Sequence, residues 1–180
     1  MKHEAASMAD TVEKHVERSP MVEGIGLNSG PGVNVRLDHI RDGVIIDTRE
    51  YHNMIVDAGK ALVAGLMLTD VGGTAFDYIA IGTGVVAEDH TDTALGTEIS
   101  SGGGSRTAGT GTRVTTTYTN DTAQLVVTFN FTASFAVTES GVFNAASGPT
   151  MLCRKTFSAI NVGNGDSLQV TWKIVVSASI

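Results

Sequence analysis

Between Leu125 and Thr132 the chain alternates without a break. Val127, Phe129 and Phe131 interleave with Val126, Thr128, Asn130 and Thr132. Only a β-strand sends successive side chains to opposite faces, so this run predicts a strand buried on one side. "VNVRLDHI", "VIIDT", "VTTTYT", "GVFNA", "MLCRKTFSAI" and "LQVTWKIVVS" have the same texture, as does Phe76 to Ile81. Their Val and Thr favour pleated surfaces over helices. Arg41-Asp42-Gly43 between "VNVRLDHI" and "VIIDT" predicts a hairpin, and Asn120-Asp121 and Asn164-Gly165-Asp166 carry tight-turn chemistry. About eight short strands and one helix predict a mainly β fold. The architecture expected is an antiparallel β-sandwich, jelly-roll-like or immunoglobulin-like. Its predicted core is Ile79, Ile81, Leu125, Val127, Phe129, Val170, Trp172 and Ile174.

The predicted helix follows Asp57, an N-cap for "AGKALVAGLMLTD", in which Ala61, Leu62, Leu66 and Met67 recur at helical spacing. Gly59 and Gly65 weaken such a helix but permit close packing on a sheet. The polar stretch "SSGGGSRTAGTGTR" reads as a mobile surface loop.

Two regions are expected, an N-terminal arm at 1–23 and a sandwich domain at 24–180. In the arm, Met8, Val12 and Val16 form one narrow apolar stripe on an otherwise charged helix, which Ser19-Pro20 ends. So narrow a stripe holds no helix by itself. The arm is therefore expected to be either a frayed tail or a partner-binding element that docks through these three residues.

Composition narrows the function classes. A formal charge of −7 with no basic run argues against nucleic acid as a partner. No apolar run approaches the roughly 18 residues of a membrane-spanning helix, and the charged opening residues are unlike a signal peptide. A soluble, non-secreted protein is expected. Cys153 is the single cysteine, which excludes an internal disulfide, and its strand-like surroundings suit a small buried hydrophobe.

The stretch "IAIGTGVVAEDHTDTALGTEI" comes closest to chemistry. Gly82-Thr83-Gly84 lacks the lysine of a P-loop and the third glycine of a dinucleotide fingerprint. Its glycines are expected to leave the strand through positive-φ turns. Glu88, Asp89 and Asp92 could offer oxygen to calcium, but the EF-hand spacing is missing. The five histidines, His3, His15, His39, His52 and His90, are scattered, and no Gly-x-Ser-x-Gly elbow occurs. No catalytic residue, cofactor or metal is predicted, and the chain reads as non-enzymatic.

Several segments, taken in order, resemble a family of small tailed-bacteriophage structural proteins. These are "YHNMIVDAGKALVAGLM", "FDYIAIGTGVVAEDHTDTALGTEI" with Arg106 following, and "VTESGVFNAASGPTMLCRKTFSAINVGNGDSLQVTWKIVVS". The likeness covers roughly residues 44 to 178 and rests on the order of the motifs, none of which is specific alone. It implies a virion component made in the host bacterial cytoplasm. The leading expectation is a capsid decoration (cement) protein that self-associates, as a trimer, and binds the major capsid protein. A tail or tail-fibre component that binds tail proteins and touches the host is the alternative within virions. A carbohydrate-binding sandwich is the alternative from another class, with Tyr51, Tyr118 and the loop Glu88 to Asp92 as its best residues.

The residues add their own expectations to this reading. Leu95 and Ile99 should plug a sheet edge while Thr93 and Thr97 face water. Glu139 should bind backbone donors at a corner or pair with Arg154 or Arg106. Trp172 should face the core.

Overall fold

The computed structural model describes residues 25–28, 35–66 and 73–178. The arm, with Met8, Val12 and Val16, lies outside the described residues, as do Val33 and Met67.

Eleven strands and one helix are present among the described residues, more strands than the roughly eight expected. One sheet contains β1 (Ile25–Asn28), β2 (Val35–Arg41), β3 (Val44–Tyr51), β7 (Thr110–Val114), β8 (Thr122–Asn130) and β11 (Ser167–Ala178). Its order is β3-β2-β11-β8-β7, with β1 on the far end of β11. The second contains β4 (Met54–Ile55), β5 (Tyr78–Gly82), β6 (Thr107–Ala108), β9 (Phe135–Phe143) and β10 (Met151–Val162), in the order β4-β10-β9-β5-β6. Every strand pairing among the described residues is antiparallel. The chain is a mainly β protein whose two sheets share one core, as in a β-sandwich.

The period-2 pattern accounts for that core. Leu125, Val127 and Phe129 on β8 and Leu168, Val170, Trp172 and Ile174 on β11 meet Ile79 and Ile81 of β5, Val142 of β9 and Ile160 of β10. Every predicted core residue is buried. At the β2–β3 hairpin, Asp42 and Gly43 take φ of 51° and 77°, the left-handed pair that matches strand twist.

Four local expectations change. Beyond Val114, the last residue of β7, "VTTTYT" is a turn, because the Asp121 carboxylate accepts the backbone N–H groups of Thr116, Thr117 and Tyr118, each at 2.8 Å. Those donors are then unavailable to a ladder. "SSGGGSRTAGTGTR" is a loop only in its first half; its second half pairs as the edge strands β6 and β7. The strand predicted at Phe76 to Ile81 is displaced to Tyr78–Gly82.

The helix α1 (Asp57–Leu66) buries Gly59 and Gly65 rather than the face of Ala61, Leu62 and Leu66. A Cβ on Gly59 would lie 2.5 Å from the Leu152 carbonyl oxygen, so the helix lies on β10 at a distance only glycine allows.

Candidate functional site

Between β5 and β6 the chain runs from Thr83 to Arg106 with no regular element, yet it is tied down along its length. Glu139, in the middle of β9, has no solvent exposure. Its Oε1 accepts Gly84 N at 2.9 Å and Thr97 N at 2.8 Å, and its Oε2 accepts Gly96 N at 2.9 Å. Arg154 on β10 completes the set, with Nε 3.0 Å and Nη2 2.8 Å from Oε2. Five donors saturate the carboxylate, which is the condition for burying a charge at tolerable cost.

Arg154 also reaches outward. Its Nη1 donates to Asp92 Oδ2 at 2.7 Å, and its Nη2 to the Val86 carbonyl at 3.0 Å. Burial by itself would raise the Glu139 pKa; the three backbone N–H groups and the guanidinium outweigh it and hold the carboxyl below its ordinary range.

Each loop acid has a local partner. Glu88 accepts from Lys155 Nζ and from Thr156 Oγ1 at 2.6 Å. Asp89 accepts Thr91 N at 2.8 Å, and the His90 carbonyl receives Asp57 N at 2.9 Å. Among the described residues no group of three His, Cys, Asp or Glu is placed to hold a metal ion. Leu95 and Ile99 are buried beneath the loop, with Thr93 and Thr97 exposed above them.

Gly82 and Gly84 are absent from the positive-φ residues, which corrects the expected role of this glycine pair. A Cβ on either would overlap Glu139 Oε1. They are glycine because a carboxylate lies against the backbone. Arg106, the alternative partner for Glu139, instead pairs with Glu98 and lies 4.1 Å over the Phe143 ring.

What this framework holds out is apolar. Val85 and Val86 are 78% and 73% exposed. They sit beside the Glu139-bound Gly84 N, and the Val86 carbonyl is gripped by Arg154. Two exposed valines therefore sit on a backbone held from beneath at Gly84 N and at the Val86 carbonyl. The sequence reading did not single out these valines, because an apolar dipeptide after a strand looks like more strand.

For the remaining sequence candidates, Tyr51 is half-buried against Phe157, with ring centroids 5.6 Å apart, and Tyr118 is exposed on the Asp121 turn. Phe157, against which Tyr51 stacks, directly follows Thr156, which donates to Glu88, whereas Tyr118 lies on the Asp121 turn. Cys153 is buried, and desolvation pushes its thiol up to about 12. Among the described residues no helix is long and apolar enough to cross a membrane. No protein-family model, curated protein or solved structure matches the chain.

Proposed function

We propose that this chain is a non-enzymatic structural protein of a bacteriophage particle. It acts through protein–protein contacts as a homo-oligomeric decoration protein that binds and stabilises the viral shell. The observation that carries the contact role is the Val85–Val86 element. A saturated buried ion pair spends polar groups on fixing a loop whose exposed tip offers only apolar surface. A rigid apolar tip lowers the ordering cost of docking, which suits a particle component that contacts its neighbours many times over. The virion assignment rests on the motif order of residues 44 to 178, and the acidic composition suits a face turned away from packaged DNA.

The test is co-sedimentation of the purified protein with tailed-phage heads lacking their own decoration protein. Saturable binding that raises the temperature at which heads rupture is the expected result. Binding to tails alone, or to neither, would remove the shell assignment.

A further inference from the structure

Asn164-Gly165 is the only Asn-Gly in the chain, and it forms the tip of the turn between β10 and β11. In this dipeptide an asparagine carboxamide is open to attack by its own backbone, because glycine carries no side chain to block the approach. The attacking Gly165 nitrogen gives up its proton and bonds to Asn164 Cγ, and the side-chain nitrogen leaves as ammonia. Water then opens the five-membered imide at either carbonyl, giving aspartate or isoaspartate, with no oxidant or reductant involved. We propose that Asn164 is a modification site guarded by the fold. It deamidates only in molecules whose 163–166 turn has opened, and its isoaspartate product cannot close that turn again.

The carboxamide itself is within reach of water, since Asn164 is exposed. What the fold withholds is the nucleophile. Gly165 N donates to the Phe131 carbonyl at 2.9 Å, which holds its proton against removal. The backbone withholds it a second time. Gly165 has a φ of 90°, Asn164 is absent from the positive-φ residues, and Asp166 N donates to Gly163 O at 3.1 Å. That is the pattern of a type II turn, whose second residue has a ψ of ~+120°. At that ψ the Gly165 nitrogen points away from the Asn164 side chain, and the imide ring cannot close.

The turn is fastened from both sides. Phe131 N donates to Asp166 O at 2.9 Å, and Gly163 N donates to the Asp166 carboxylate at 2.9 Å. That carboxylate is 4% exposed; it meets His39 Nε2 at 2.8 Å and accepts Arg41 Nε and Nη2, each at 2.7 Å. Asp166 therefore ties the turn to β2. Isoaspartate at position 164 would lengthen the backbone by a methylene between Gly163 and Asp166. Both bonds between those two residues span that point, so the product loses the turn and, with it, the placing of Asp166 against His39 and Arg41.

The experiment incubates the full chain at mildly alkaline pH, in native buffer and in urea. Mass spectrometry reads conversion of the Asn164 peptide, and enzymatic methylation reads isoaspartate. The native chain should deamidate at least roughly tenfold more slowly than the unfolded chain, in proportion to the fraction of molecules whose turn is open. Arg41→Ala, at a half-exposed position, should keep the fold and speed native deamidation by taking a partner from Asp166. Once urea is removed, chains carrying isoaspartate should fail to regain the native melt. Asn164→Asp, which adds the charge but no backbone atom, should regain it. Equal rates in native buffer and in urea would overturn the guard, as would an Arg41→Ala rate equal to that of the wild type. Isoaspartate chains that refold and melt like Asn164→Asp would overturn the second half of the proposal.

Discussion

Arg154 Nη2 stands 2.8 Å from Glu139 Oε2, with the two side chains 3% and 0% exposed. The pair lies under an irregular loop, and its remaining donors and acceptors go to four backbone groups of that loop and to the Asp92 carboxylate. Replacing Glu139 with Ala should cost about 3–5 kcal/mol, because it takes from a buried guanidinium one of its two carboxylates and leaves three backbone N–H groups without their acceptor. The double change Glu139→Leu/Arg154→Met should cost less than the two single changes summed. Urea melts give the energies, and amide exchange should quicken at Gly84, Gly96 and Thr97. Additive costs would show that the two side chains do not act together.

Gly84 and Gly111 make a matched pair. A methyl at Gly84 overlaps the Glu139 carboxylate, whereas one at Gly111 meets nothing within 4 Å. Gly84→Ala should therefore destabilise by about 1–3 kcal/mol, and Gly111→Ala should be neutral or slightly stabilising. Equal melting temperatures for the two variants would contradict the packing described around Glu139.

Trp172 is fully buried and donates from Nε1 to Ser140 Oγ at 3.1 Å. Trp172→Ala should cost about 3–5 kcal/mol. Trp172→Phe should cost less, losing part of the ring and leaving the Ser140 hydroxyl without its donor. A thermal melt unchanged by the alanine variant would remove Trp172 from the core.

Acid stability should report on Glu88. Burial raises its pKa, but hydrogen bonds from Lys155 and Thr156 outweigh that and bring it to about 2 from an ordinary 4.5. A carboxyl depressed by folding binds its proton more readily when unfolded. Its contribution is therefore complete above pH ~4.5 and is lost as pH falls through about 2. That contribution is on the order of 2 kcal/mol after allowing for solvent screening. Glu88→Gln should flatten the stability profile between those two pH values. An unchanged slope there would place the acid sensitivity elsewhere.

Core positions were legible from the chain because alternation reports burial directly: Val127, Phe129, Val170 and Trp172 each sit one residue from a polar neighbour. The turns were legible where chemistry demands a left-handed residue, as at Gly43 and Gly165. The "VTTTYT" segment misled because threonine favours strands while the carboxylate that captured its backbone comes later, at Asp121. The α1 face misled for a related reason. Periodicity marks which residues are apolar, but contact with Leu152 is decided by which residues are small. Glu139 was visible as a polar residue before Gly141-Val142-Phe143; its three backbone partners come from residues over forty positions away and leave no local pattern.

The position of β11 sets when this protein can fold. It pairs with β2 and β1 on one side and β8 on the other, so it is the strand on which its sheet is assembled. The β2–β3 hairpin leaves the ribosome early and must wait for more than a hundred further residues before β11 arrives to pair with it. At about 5–20 residues per second the wait is on the order of ten seconds. During that interval Val35 and Leu37 have no partner strand from β11 and face water or a chaperone. Maturation of this chain is thus timed by its last strand, and a ribosome stalled before Ser167 would hold half a sandwich with nothing to close on.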